Sequence, residues 1–340
     1  MRYFDVCNGD ADGLIARHQF RLAFPVPTVD VTLITGTKRD ISLLRQIPAQ
    51  TKLVLDADIS VFDISYDQNA DRVLELLEAG ATIRYFDHHL ASKLQAHQRL
   101  AAHIDTSASV CTSLIVDRHL NGAFHAWAIC AAFGDNLHSA AERLAANAGF
   151  TIKQTNCLRE LGECLNYNAY GESISDLCFA PSELAQRMAP YESPFEFVAN
   201  EDVLERLQIT YAADLQLART TPPAFESDVS ATFILPDASW ARRVSGAFAN
   251  ELASRYPRRA HAVLNKLASG AYLVSIRAPK SAPFRAHEIA VHFKGGGGRE
   301  AAAGINELPS EDLALFSSLL DGTYRKPDGK VMEVTLGSSL

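Results

Sequence analysis

The sequence predicts an α/β protein with two domains, the first built on a mostly parallel sheet with helices on both faces, the second smaller. Three observations predict this. Short runs rich in β-branched and aromatic residues at 3–7, 29–35, 51–55 and 82–86 alternate with helically spaced segments, the pattern of βαβ units. The chain has 340 residues, more than the roughly 250 at which single cores stop growing. Alternation then resumes in the last third, after breaks rich in proline and polar residues at Ala180-Pro181-Ser182 and Pro190-Tyr191-Glu192-Ser193-Pro194.

Taken in order, residues 70–79 form the clearest helix of the first half, with Val73, Leu74, Leu76 and Leu77 on one face and Gly80 as its stop. Segments 110–120, 123–133, 139–148 and 154–165 are Ala- and Leu-rich without strand-like runs, so helices there should cover and extend the sheet. Residues 195–220 read as one long helix ending at Thr221-Pro222-Pro223. The second unit follows as a strand at 229–235, a helix at 240–254, strands at 260–265 and 271–276, and a helix at 284–292 before four consecutive glycines. The expected division is a first domain at 1–185, a connection at 186–225, a second domain at 226–325 and a tail at 326–340. A short Val331–Thr335 run is the only patterned stretch of that tail.

With 47% hydrophobic and 21% charged residues and a mean hydropathy of −0.04, the chain has the composition of a soluble globular protein, and no segment approaches a membrane span. The segment Met1 to Cys7 meets polar and acidic residues too early for an export signal, which makes the cytoplasm the expected location. The six cysteines include no CxxC pair, which favours reduced thiols over a zinc knot or a disulfide frame. A net charge of −8 excludes a broad polyanion trap and suits a short or small phosphorylated ligand. Any basic groove is expected in the last third, around Arg255-Tyr256-Pro257-Arg258-Arg259 with Arg277, Lys280 and Arg285.

Acidic residues gather where the predicted strands end. The first strand runs into Asn8-Gly9-Asp10-Ala11-Asp12-Gly13, the third into Leu55-Asp56-Ala57-Asp58, and the fourth into Asp87-His88-His89. In an open α/β sheet the crevice outside the carboxyl ends of the strands is the binding site, so these groups should converge. Carboxylates so close cannot all stay ionised without cations. A fourth acid, Asp135, stands where a helix breaks at Gly134.

In this order the segments Asn8 to Gly13, Asp56, Asp87-His88-His89 and Gly134-Asp135 resemble the four motifs of the DHH phosphoesterase superfamily, which includes RecJ-like exonucleases and nanoRNases. Gly295-Gly296-Gly297-Gly298-Arg299-Glu300-Ala301-Ala302-Ala303-Gly304 resembles the glycine-rich signature of its C-terminal DHHA1 domain, so the resemblance spans residues 8–304. It implies a catalytic DHH domain and a substrate-binding DHHA1 domain with a cleft between them. It also implies two Mn²⁺ or Mg²⁺ ions on Asp10, Asp12, Asp56, His88 and Asp135, with Asp56 as the bridging carboxylate. Asp87 would fix the tautomer of an imidazole, and His89 would meet the phosphate as donor or proton source. The chain departs from the family at Val6, where many members carry a metal-binding histidine, and at Asn8, which replaces a common aspartate.

Four glycines followed by Arg299 can present successive backbone N–H groups to a phosphate, which makes Gly296, Gly297, Gly298 and Arg299, with Asn8, the expected substrate contacts. The implied activity is metal-dependent hydrolysis of phosphodiester bonds in short oligonucleotides or dinucleotides. The alternatives are a nucleotide phosphomonoesterase of the 3′-phosphoadenosine 5′-phosphate type, a RecJ-like single-strand exonuclease, and a nucleotide-binding protein that has lost turnover. The expected partner is the nucleotide substrate; no membrane is involved, and a homodimer is compatible with the sequence.

Overall fold

The computed structural model describes residues 2–48 and 54–325. The first elements are β1 (Tyr3–Cys7), α1 (Ala11–Ala23), β2 (Val31–Thr35), β3 (Asp58–Phe62), α2 (Tyr66–Glu78), β4 (Thr82–Asp87) and β5 (Leu100–Ile104). The five strands form a parallel sheet in the order β2-β1-β3-β4-β5. Because β2 lies on one side of β1 and β3 on the other, the sheet reverses its direction of growth beside β1, which opens a crevice at the carboxyl ends.

Alternation along each strand explains the two covered faces. Phe4, Val6, Ile59, Val61, Ile83 and Tyr85 point to one side and share a core with Val73, Leu76 and Leu77 of α2. On the other side Arg17 and Arg21 of α1 clamp the buried Asp5, and the Phe20 ring lies 5.4 Å from Phe62 and 5.8 Å from Phe86.

The helices that follow are α3 (Thr112–His119), α4 (His125–Gly134), α5 (His138–Asn147), α6 (Ile152–Asn168), α7 (Pro181–Met188), α8 (Pro194–Asn200) and α9 (Val203–Thr220). The expected single helix over 195–220 is therefore two. Glu201 is extended, with φ −113° and ψ 145°, and both Glu201 and Asp202 turn out to bind Arg187, a tie that a continuous helix would not make.

The expected third strand is displaced. Residues 51–53 lie outside the described ones, 54–56 form a turn closed by Ala57 N donating to Val54 O at 3.0 Å, and the strand is Asp58–Phe62. Lys52-Leu53-Val54-Leu55 is the more apolar run, whereas Asp58 and Ser60 break up the true strand because they face the α1 side, where Arg84 meets Asp58 at 2.5 Å. The edge strand β5 had no comparable signal.

The chain divides into two compact units at Thr210 and Tyr211, inside α9. The second contains β6 (Phe225–Glu226), β7 (Ser230–Leu235), α10 (Ser239–Arg255), β8 (Ala260–Lys266), β9 (Tyr272–Arg277), α11 (Ala286–Ala290), β10 (Gly296–Gly298), β11 (Ala302–Leu308) and α12 (Leu313–Tyr324). Its six-stranded mixed sheet has the order β10-β11-β9-β8-β7-β6, with only β7 and β8 parallel. Ala262, Leu264, Val274, Ile276 and Ile305 of the sheet pack with Ile289 of α11 and with Phe316 and Leu320 of α12. On the opposite face the Phe233 ring meets Phe248 of α10 edge-on at 5.4 Å. The Val331–Thr335 run lies outside the described residues. Among the described residues no helix is long and apolar enough to cross a membrane, and all six cysteines are free.

Candidate metal centre

The crevice beside β1 collects the acidic groups. β1 ends at Cys7, and Asn8 N donates to Phe62 O at 3.2 Å, so the loops leaving β1 and β3 start side by side. Asp10 caps α1, with Oδ1 accepting from Gly13 N at 3.0 Å. Asn8 clips this turn, its Oδ1 accepting from Asp10 N at 3.2 Å and its Nδ2 donating to Lys38 O at 3.3 Å. Its side-chain oxygen is thus engaged within the loop.

Asp12 is held by the amino end of α3, where Thr112 N and Ser113 N each donate to one of its oxygens at 2.7 Å. Two hydrogen bonds from the helix N-terminus fix the carboxylate plane. The residue leaving β3 is Asp63, buried, with φ +57° and Thr112 Oγ1 donating to it at 3.1 Å. Asp135 ends α4 as its C-cap.

His88 is oriented from behind. Its Nδ1 donates to Val110 O at 3.1 Å, which turns Nε2 toward Asp63 Oδ1 at 3.4 Å and Asp135 Oδ2 at 3.9 Å. A backbone carbonyl, not Asp87, therefore sets the His88 ring. Asp87, fully buried, accepts from Tyr66 N, His88 N and His89 Nδ1, the last at 2.6 Å, and so orients His89, whose ring stays half exposed.

Asp56 does not join this cluster. It is exposed, with φ +58°, in the turn before β3, and Asp58 lies opposite Tyr3 at the amino end of the sheet. At about 3.3 Å per residue the seven residues from Asp56 to Asp63 span roughly 20 Å. Asp63, not Asp56, is the acid that leaves β3 beside Asp10, Asp12 and His88. The apolar run at 51–55 masks the strand that ends in Phe62-Asp63.

Among the described residues two sets of ligand atoms lie within 4.8 Å of one another, Asp12, His88 and Asp135, and Asp63, His88 and His89. The electrostatics record the crowding. Burial, then Asp12 and Asp10, push the Asp63 carboxyl well above the usual range, and burial with Asp12 raises Asp135 to about 6. Burial alone would lower His88, but its hydrogen bond to Asp63 and the charges of Asp12, Asp63 and Asp135 raise it to about 10. Burial would also raise Asp10, yet the adjacent Lys38 ammonium lowers it. Burial and Asp12 push the Cys111 thiol far up, so no thiolate enters the set. Carboxylate oxygens with imidazole and no thiolate fit a hard divalent cation of the Mn²⁺ or Mg²⁺ kind.

In the second unit the glycine-rich stretch is a strand. β10 pairs antiparallel with β11, Gly297 opposite Gly304, and Arg299 N donates to Ala302 O at 2.8 Å to close a two-residue turn. Pairing uses alternate backbone groups, so the stretch cannot offer successive free N–H groups as expected of an open loop. Glycine is required at 296, where a Cβ would sit 1.9 Å from Ala290 O, and at 298, where φ is +145° and a Cβ would meet Ala303 Cα at 2.4 Å. At Gly297 the Cβ direction is open, and Arg299 is exposed.

Residues 227–326 match the family model of the DHHA1 domain. No curated protein matches the chain. Among solved structures, exonuclease RecJ bound to manganese is 16% identical with a TM-score of 0.59, over 96% of this chain and 91% of that one. RecJ in complex with Mn²⁺ from Thermus thermophilus is 15% identical with a TM-score of 0.54, over 95% of this chain; the match spans about half, 52%, of that longer chain. The pGpG-specific phosphodiesterase PggH from Vibrio cholerae is 14% identical with a TM-score of 0.52, over 95% and 98% of the two chains. The second unit is thus a DHHA1 domain by its family match, and the chain shares its fold over nearly its whole length with RecJ and PggH.

Proposed function

We propose that the chain is a divalent-metal-dependent phosphoesterase that hydrolyses phosphodiester bonds of short oligonucleotides or dinucleotides. The observation that carries this is the convergence of Asp12, Asp63 and Asp135 on His88 at the switch point of the sheet, with the His88 Nε2 edge turned into the cluster by Val110 O. RecJ is named an exonuclease and was solved with manganese, and PggH is named for a dinucleotide substrate; both support this reaction class. The even coverage of PggH favours the short substrate.

Divalent cations held by Asp12, Asp63, His88 and Asp135 would neutralise the carboxylates and supply Lewis-acid activation of water and phosphate. The chain's own groups do the rest. The α3 amides and Thr112 hold Asp12 and Asp63 at fixed orientations, which removes reorganisation at the moment of reaction. His89, fixed through Nδ1 by Asp87, has Nε2 available to donate to a phosphate oxygen or to protonate the leaving oxygen. In the second unit Arg299 supplies an exposed guanidinium, and Gly297 an unobstructed backbone, both suited to a phosphate.

A substrate panel with Mn²⁺ tests this. Di- to pentanucleotides should be hydrolysed with kcat/KM at least about tenfold above that for long single strands. Turnover confined to nucleotide monoesters would replace the diester reading, and tight Mn²⁺ binding without turnover on any substrate would sink the enzyme reading. A pH effect accompanies metal loading. Without metal, His88 carries a proton up to about pH 10 and Asp135 up to about pH 6, and a ligand must lose its proton. Raising the pH from 5 to 8 should therefore tighten Mn²⁺ binding, with protons released on binding, read as buffer-dependent enthalpy in calorimetry.

A further inference from the structure

The loop after β2 brings Lys38 into the acidic cluster. Its Nζ donates to Asp10 Oδ2 at 2.5 Å and to Asn166 Oδ1 at 3.0 Å, and lies 4.0 Å from Asp135 Oδ1 and 5.6 Å from the centre of the Tyr170 ring. The backbone beneath it is clamped from both sides, Lys38 N donating to Ala169 O at 3.0 Å and Lys38 O accepting from Asn8 at 3.3 Å. Both Asp10 oxygens are engaged, Oδ1 by Gly13 N and Oδ2 by the ammonium. Accordingly the two sets of close ligand atoms share His88 and leave Asp10 out. Position 6 offers no donor on that side, because Val6 is fully buried in the apolar core under α2.

We propose that the Lys38 ammonium takes the place of one of the two cations, so that the cluster holds a single divalent ion on Asp12, Asp63, His88 and Asp135. The inference rests on the metal-dependent reading above and replaces the two ions expected from the family resemblance with one ion and a fixed lysine. An ammonium tied to Asp10 already neutralises that carboxylate, so a second dication bound there would be repelled by a neighbouring positive charge.

Titration of the full chain with Mn²⁺, followed by calorimetry and by the electron paramagnetic resonance of free manganese, tests the proposal. Wild type should bind one ion. Lys38→Met, which keeps the stem and removes the charge, should bind two, and Lys38→Arg, which keeps the charge, should bind one. If Lys38→Met does not fold, Lys38→Gln should give the same second ion. Two ions of similar affinity in wild type, or a stoichiometry unchanged by loss of the lysine charge, would overturn the proposal and leave the phosphoesterase reading intact. No ion in wild type would overturn both.

Discussion

Asp63→Asn should abolish activity, with kcat/KM falling by about 10³-fold or more, while Asp56→Asn leaves it within about twofold of wild type. The asymmetry follows from where the two acids stand. Asp63 is buried between Asp10, Asp12 and His88, and it accepts from Thr112 Oγ1 with His88 Nε2 3.4 Å away. The amide keeps size and shape, so the change removes one negative charge and one ligand oxygen and little packing. Relief of the carboxylate crowding should leave metal-free Asp63→Asn at least as stable as wild type, since burial of that charge is what raises its pKa. A stable, inactive variant with weakened Mn²⁺ binding is the expected result, read by steady-state kinetics, thermal unfolding and calorimetry. Asp56 is exposed in a turn on the far side of the sheet.

The second large effect is structural. α4 and α6 approach so closely that a Cβ on Gly162 would lie 2.0 Å from Cys130 O and 2.9 Å from Gly134 N, all backbone atoms that cannot swing away. Gly134 is the last residue of α4, directly before Asp135, and a Cβ there would meet Ala11 Cβ at 2.6 Å. Gly162→Ala must therefore push the two helices apart. Overpacking a tight contact costs about 1–3 kcal/mol, and the upper end is expected here because the clash is with backbone. Denaturant unfolding should show the loss. Because Asp135 rides on the end of α4, Mn²⁺ affinity should fall as well. Stability and metal affinity both at wild-type values would show that α4 is not what positions Asp135.

Much of this was legible in the sequence. The run Tyr3 to Cys7 followed by Asn8 to Gly13 announced a strand and a turn, and both form because alternate residues of β1 enter two different cores. Asp135 was readable from the break at Gly134, and the histidine pair from its place after β4. The third acid was misassigned because periodicity weighs apolar runs, and β3 carries Asp58 and Ser60 on a face where Arg84 satisfies Asp58. Lys38 gave no signal, since a lysine 28 positions from Asp10 in a polar loop is indistinguishable from a solvated one until the fold brings the two together. Nor could the glycines announce a strand. Pairing with β11 and packing against Ala290 make them one, a tertiary effect that overrides local propensity.

In the proposed site the divalent ion sits on Asp12, Asp63, His88 and Asp135. Crystals grown with Mn²⁺ and measured at the manganese edge test it most directly. An anomalous peak bonded to the Asp63 carboxylate and to His88 Nε2 is the predicted result. A peak at Asp56, or none within the cluster, would contradict it.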